Sequence, residues 1–186
     1  MKIGFVIYQG MTALDFIGVY DPITRLKTMG FISDLEWDIC AYSSEVKDGT
    51  GLAFTPTKVG ESLGEYDMIV VPGGLGSRKL VDDADFIAWL KTAEACRLKA
   101  SVCTGSLLLG AAGFLKGKKA TTHPDAFGEL RRFCSEVVGQ RVVDEGNVIT
   151  GGGVSSSIDL GLYLCEKFAG REASQKIRRQ IDYPDR

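Results

Sequence analysis

Histidine is almost absent from this sequence: His123 is the only one in 186 residues. The five cysteines, at 40, 96, 103, 134 and 165, are odd in number and include no CxxC pair. One imidazole and scattered thiols do not make a zinc site, so no metal is expected. Unpaired cysteines point to a reducing cytoplasm rather than to a disulfide framework. An excess of charge is missing too. Lys and Arg number 22 against 24 Asp and Glu, a net charge of -2, so neither nucleic acid nor an acidic membrane is expected as a partner. The densest basic cluster, Lys116, Lys118 and Lys119, reads as a solvated loop. The apolar run from Ser101 to Leu115 holds three glycines and is shorter than a bilayer requires. Met1 leads at once into "KIGFVIY" with no signal-peptide pattern,.

What is present is alternation. Short apolar or β-branched runs ("KIGFVIY", "EWDICAY", "YDMIVVPGG", "KASVC") are separated by helical patterns, the signature of an α/β fold on a mainly parallel sheet. The first helical segment runs from about Thr12 to Met29, with a break or kink expected near Pro22 and Asp21 capping the helix before it. "EVKDGTGLAFTPT" has the DG turn of a small hairpin. "DADFIAWLKTAEACRL" reads as a crossover helix and "TGSLLLGAAGFL" as the helix leaving "KASVC". "KKATTH" supplies a later strand, "QRVVDEG" and "NVITGGG" a hairpin, and "SSSIDLGLYLCEKFAG" and "REASQKIRRQI" the closing helices. With no repeat and no linker, residues 1–186 are expected to form one domain,.

Cys103 occupies the place where chemistry is expected. It ends an apolar strand just before a helix, the geometry of a nucleophile elbow, and ligands of open α/β sheets bind at the carboxyl ends of strands. Gly105 lets the helix begin without crowding the strand, and the helix N-terminus is expected to lower the thiol pKa. The other four cysteines lie within predicted strands or helices and read as packing. "VVPGG" ends a neighbouring strand, and the amides of Gly73 and Gly74, with that of Thr104, are expected to form an oxyanion hole. "TGGGVSSS" lacks the lysine of a phosphate loop. It reads as a tight turn lining the same edge, with Gly152 in the pocket and Ser155 as a helix cap. A thiol needs a proton-transfer partner, and two candidates stand open. His123 offers a Cys–His pair but could equally brace a loop. Asp15, between Leu14 and Phe16, is either a surface acid or a buried carboxyl of raised pKa.

"VVPGG", "SVCTGSLLLGAAGFLKGKKATTH" and "NVITGGGVSSSIDLGLYL", with "LD" in the first helical segment, resemble the ThiJ/PfpI superfamily over nearly the whole chain. The resemblance implies a flavodoxin-like, class I glutamine amidotransferase-like three-layer sandwich. It is nearest to the isonitrile hydratase branch and to the amidotransferase-like sensor domains of AraC-type regulators, whose helix-turn-helix extension is not expected here. Where protease-like members resemble "CHG", Thr104 follows the cysteine. Members similar to isonitrile hydratase pair the elbow cysteine with an aspartate that maps onto Asp15, so the resemblance favours Asp15 over His123 as the acid/base. Cofactor-free hydration of a small-molecule isonitrile is then implied, with Thr104 orienting Asp15 or the ligand. Redox or ligand sensing through a reactive cysteine, and glyoxalase or deglycase activity, are the alternatives. A homodimer with the first helical segment near the partner is implied as well. The family's LDxxGP reads LDFIGV here, and Pro124 replaces the aromatic residue that usually follows TTH; both departures border the expected pocket.

Overall fold

In a computed structural model describing residues 1–184, the apolar runs become strands and the amphipathic segments cover them. In chain order these are β1 (Lys2–Ile7), α1 (Ala13–Thr28), β2 (Glu36–Ala41), β3 (Val46–Lys47), β4 (Ala53–Phe54), β5 (Lys58–Val59), β6 (Met68–Val71), α2 (Ser77–Leu80) and α3 (Ala84–Lys91). The second half holds β7 (Leu98–Val102), α4 (Gly105–Ala111), β8 (Lys119–Ala120), α5 (Phe127–Leu130), β9 (Glu136–Val137), β10 (Val142–Asp144), β11 (Val148–Gly151) and α6 (Ser156–Gln180). Seven strands form one sheet in the order β10-β11-β7-β6-β1-β2-β5. All neighbours are parallel except the β10–β11 hairpin. The architecture is the expected α/β sandwich around a mainly parallel sheet.

The central strands β6, β7 and β11 are buried at every residue. Strands covered on both faces must be apolar almost throughout, and this places β7 and its neighbour β6 mid-sheet. Asp83 caps α3, its carboxylate accepting from the N–H groups of Asp85 and Phe86, as the acidic start of that segment implied. Glycine at 170, with φ 84°, breaks α6 between the two expected closing helices.

Three local expectations are corrected. Pro22 does not interrupt α1, which continues through it to Thr28. The proline ring packs against Gly161 of α6, so a tertiary contact supports the turn whose backbone hydrogen bond is lost. Asp21 therefore lies inside the helix and caps nothing; its carboxylate pairs with Arg25 one turn on, at 2.8 and 3.0 Å. Ser155 stands at the N-cap position of α6 without a side-chain capping bond, because its hydroxyl accepts from Arg141 instead. The "KKATTH" strand is β8, which pairs with β9 outside the main sheet.

Candidate functional site

The site is built at the carboxyl end of β7. Cys103 adopts φ 54°, and among the described residues only Asp182 shares a positive φ without being glycine. That conformation costs a side-chain-bearing residue on the order of 1 kcal/mol or more and persists because the surroundings hold it. The Cys103 N–H is shared between the carbonyls of Gly151 and Gly152, each at 3.0 Å. Its own carbonyl accepts from the hydroxyls of Thr122 at 2.8 Å and Ser106 at 3.0 Å. Beneath the elbow, a Cβ on Gly105 would lie 2.3 Å from the Val71 carbonyl oxygen, so only glycine lets α4 start so close to β6. The nucleophile elbow is thus present as backbone geometry.

Asp15, in the first turn of α1, is carried to the same point and is 0% exposed. Its Oδ2 accepts the Gly73 N–H at 3.0 Å, while Oδ1 has no hydrogen-bond partner. Burial pushes the carboxyl up to about 7, against the opposing pull of the Gly73 N–H and the Cys103 thiol. Burial, and after it the Asp15 carboxylate, push the Cys103 thiol up to about 12, although the Thr104 main-chain N–H is directed at the sulfur and favours the thiolate. The lowered thiol pKa expected from the helix N-terminus is therefore overturned. The helix offers one amide, whereas desolvation and a facing negative charge both oppose ionisation. At neutral pH the thiol holds its proton and the carboxyl is the group that titrates.

Glycine at 73 is the meeting point of three segments. A Cβ there would fall 2.5 Å from Thr104 N, 2.7 Å from Cys103 Cβ and 2.8 Å from Asp15 Oδ2. The expected trio of free amides is not found. The Gly73 N–H is engaged by Asp15, and the Gly74 N–H donates to the Thr104 hydroxyl at 2.9 Å. That hydroxyl in turn donates to the Gly74 carbonyl at 3.1 Å, and the Thr104 side chain favours the Cys103 thiolate rather than orienting Asp15. Only the Thr104 N–H of the three faces the sulfur.

His123 does not reach the thiol by hydrogen bond. Its Nδ1 accepts from the Asp125 N–H at 3.3 Å and its ring lies against Gly153. It is a wall: with Cys103, Thr104, Leu75 and Arg78 it lines a cavity of about 230 Å³. His123 and Val154 also border a second cavity of about 480 Å³ that includes Gly152. Arg78 is held at the mouth by Glu129 at 2.9 Å. The remaining thiols are turned elsewhere, Cys40 to Tyr66, Cys96 to the Leu63 carbonyl, Cys134 to Leu130 and Cys165 to Pro22. Among the described residues no three His, Cys, Asp or Glu side chains converge as metal ligands would.

Sequence reasoning passed over Tyr8. It follows β1, is buried, and donates its hydroxyl to the Pro72 carbonyl at 2.8 Å. The available signal was a hydroxyl-bearing ring at the carboxyl end of a central strand.

The DJ-1/PfpI family profile matches residues 1–167. Isonitrile hydratase from Pseudomonas putida is 37% identical over 185 residues, covering 98% of this chain and 78% of that protein. Protein DJ-1alpha of Drosophila melanogaster is 26% identical, covering 95% and 81%. A crystal structure of a ThiJ/PfpI family protein from Pseudomonas syringae superposes with a TM-score of 0.89 at 32% identity, covering all of this chain and 76% of that one. Among the described residues no helix is long and apolar enough to cross a membrane.

Proposed function

The chain belongs to the DJ-1/PfpI family, and we propose that it hydrates an isonitrile, R–N≡C, to the N-substituted formamide, R–NH–CHO, with Cys103 as nucleophile and Asp15 as general acid and base. The similarity to an isonitrile hydratase supports hydratase-type chemistry at family level. The observation that carries the reading to these residues is the fully buried Asp15 carboxyl, with one oxygen on the Gly73 N–H and the other unpartnered, beside a thiol on a strained elbow.

Because the thiol rests protonated, sulfur does not attack as a preformed thiolate. Asp15 takes the thiol proton as Sγ bonds to the terminal carbon and delivers it to that carbon. One S–H bond breaks, C–S and C–H bonds form, and a thioimidate, R–N=CH–S, results. Asp15 then draws a proton from water as the water oxygen attacks the same carbon, and that proton passes to nitrogen. The tetrahedral R–NH–CH(OH)–S expels sulfur, the hydroxyl proton returns through Asp15 to the thiol, and formamide leaves. A carboxyl near 7 suits both directions of transfer at neutral pH,. The Thr104 N–H supports charge on sulfur, Gly73 positions Asp15, and the Gly74–Thr104 pair fixes the loop between them. His123 and Gly152 shape the space for R.

We place the protein in the cytoplasm as a homodimer, with the exposed Leu14 and Ile17 of α1, 46% and 42% accessible, toward the partner; sedimentation of a Leu14→Glu, Ile17→Glu variant as a monomer tests the contact. The function is tested by incubating the protein with a small isonitrile and following formamide and the mass of the Cys103 peptide. Formamide accumulating beyond one equivalent supports the hydratase. The DJ-1 relatives favour a second reading, a sensor whose thiol is modified once,. A single oxidation of Cys103 by peroxide, with no formamide, would select it.

A further inference from the structure

The proton relay depends on where the Gly73 N–H points, and that direction is not secured by Gly73 itself. A glycine has the widest backbone freedom of any residue, so the peptide joining Pro72 to Gly73 can rotate unless something holds its other side. A trans peptide carries C=O and N–H on opposite edges of one plane. Its N–H edge meets Asp15 Oδ2 at 3.0 Å and its carbonyl edge meets the Tyr8 hydroxyl at 2.8 Å. We infer that Tyr8 is a positioning residue for the Asp15 proton relay: by clamping the Pro72 carbonyl it aims the Gly73 N–H at the carboxylate.

Rotation of this peptide would present a carbonyl oxygen to the carboxylate and leave two buried polar groups unpaired, so the clamp opposes a specific and damaging rearrangement. The next peptide is likewise held on both edges, its Gly73 carbonyl accepting from the Thr12 N–H at 2.8 Å and its Gly74 N–H donating to the Thr104 hydroxyl at 2.9 Å. Ring packing alone does not account for the hydroxyl. The ring of Tyr8 meets Phe86 edge-on at 6.0 Å, a contact that phenylalanine would make equally well. A donor on the carbonyl also polarises the amide and strengthens its N–H, since hydrogen bonds in a chain reinforce one another. Burial keeps the phenol protonated well above its ordinary range, with Asp15 and Cys103 adding to the effect, so it remains a donor throughout the working pH range. The groups facing the Asp15 carboxyl are the Cys103 thiol from the elbow, the Gly73 N–H from the loop after β6, and Tyr8 from the end of β1. No lysine, arginine or histidine contributes to its shift.

The inference rests on Asp15 carrying the proton, and its test needs no isonitrile. The rate of Cys103 alkylation by iodoacetamide is measured against pH by peptide mass spectrometry. As Sγ displaces iodide, the thiol proton passes to the Asp15 carboxylate, so the rate rises through the titration of Asp15 near neutrality. Tyr8→Phe should move that inflection to higher pH by about half a unit to one unit, roughly a threefold to tenfold change in proton affinity. Replacement of Tyr8 by 3,5-difluorotyrosine, a stronger donor of nearly the same shape, should move it the opposite way, and this arm stands even if Tyr8→Phe does not fold. With Asp15→Asn in place, Tyr8→Phe should produce no further shift. Coincident inflections for the wild type and the folded Tyr8 variants, or a shift that persists with Asp15→Asn, would overturn the inference. A wild type that labels as described but makes no formamide would instead remove the hydratase reading and leave the clamp intact.

Discussion

An aspartate and a cysteine are brought together twice in this molecule. Within β2, toward one edge of the sheet, Asp38 and Cys40 share the Tyr66 hydroxyl, which donates to Asp38 at 3.0 Å and lies 3.3 Å from the Cys40 sulfur. At the carboxyl ends, Asp15 faces Cys103. The thiols are nearly alike, pushed by burial to about 11 and about 12. The acids are not. Burial raises both, but at Asp38 it is outweighed by Tyr66, Thr57 and Lys2, so that carboxyl falls below its usual range. Asp15 has only the Gly73 N–H and the Cys103 thiol against its burial, with no cation, and rises to about 7. A thiol buried beside an acid is therefore not in itself a reactive pair. What distinguishes the carboxyl end is an under-satisfied acid, a strained elbow and a cavity lined by the elbow thiol.

Exchanging the fates of the two cysteines breaks the comparison most sharply. Cys103→Ala should abolish formamide production while leaving the melting behaviour close to wild type, since alanine relieves rather than adds crowding at a positive φ. Cys40→Ala should keep full turnover and lose only some stability. Activity surviving in Cys103→Ala would remove the nucleophile from the scheme. The acids come next. Asp15→Asn should slow turnover by about 10²–10⁴-fold, the usual contribution of general acid–base catalysis. Asp38→Asn should leave it unchanged. Equal kinetic losses in these two variants would show that the difference in their hydrogen bonding has no bearing on catalysis.

The sheet was legible because β6 is apolar throughout and β7 and β11 interrupt their apolar runs only with Lys99, Ser101 and Thr150, a pattern that burial on both faces explains,. The elbow was legible for the same reason: a cysteine closing such a strand before "TGS" leaves few other conformations. Asp15 could not be placed from the residues alone, since its neighbours diverge, Leu14 being 46% exposed and Phe16 buried. One-dimensional spacing does not tell which way the first turn of a helix faces; the family resemblance did. The amides of Gly73 and Gly74 were read as free because their acceptors, Asp15 and Thr104, come from other segments. The thiol pKa went astray for a related reason. A helix N-terminus is visible in sequence, but the carboxylate that opposes it arrives by tertiary folding. Pro22 within α1 belongs with these, its tolerance resting on a contact with α6.

The two acids should also oppose each other in the pH dependence of stability. Asp15 titrates near 7 when folded against an ordinary value of 3.8. A carboxyl whose folded pKa is raised contributes stability that is complete below about pH 4 and is lost as pH climbs through 7. The loss is on the order of 4 kcal/mol if the whole shift is expressed. Asp38, lowered in the folded state, behaves in reverse: its contribution is present above about pH 4 and is lost in acid. It is the smaller of the two, because the Tyr66, Thr57 and Lys2 contacts are largely offset by burial and the Lys2 ion pair is solvent-screened,. Urea unfolding at pH 4, 6 and 8 should show wild-type stability falling across this range and Asp15→Asn nearly level, so that the variant is the more stable at pH 8. Parallel slopes would mean that Asp15 is not the neutral-range titrating group.

The smallest effect is expected at His123, and its smallness is informative. The ring forms no hydrogen bond with Cys103. Its Nδ1 accepts from the Asp125 amide and the ring leans on Gly153, bracing the wall shared by the two cavities. His123→Ala should therefore leave the rate with a small isonitrile within about tenfold of wild type, far short of the loss assigned to a proton carrier. Removing the wall should be felt instead in KM, and more for a cyclohexyl than for a methyl isonitrile, because R rather than the reacting carbon reaches that partition. The kcat against KM split for the two substrates separates the roles. A kcat for methyl isonitrile as low as that of Asp15→Asn, in a variant that melts normally, would make the imidazole a proton carrier and reduce the buried aspartate to its orienting partner.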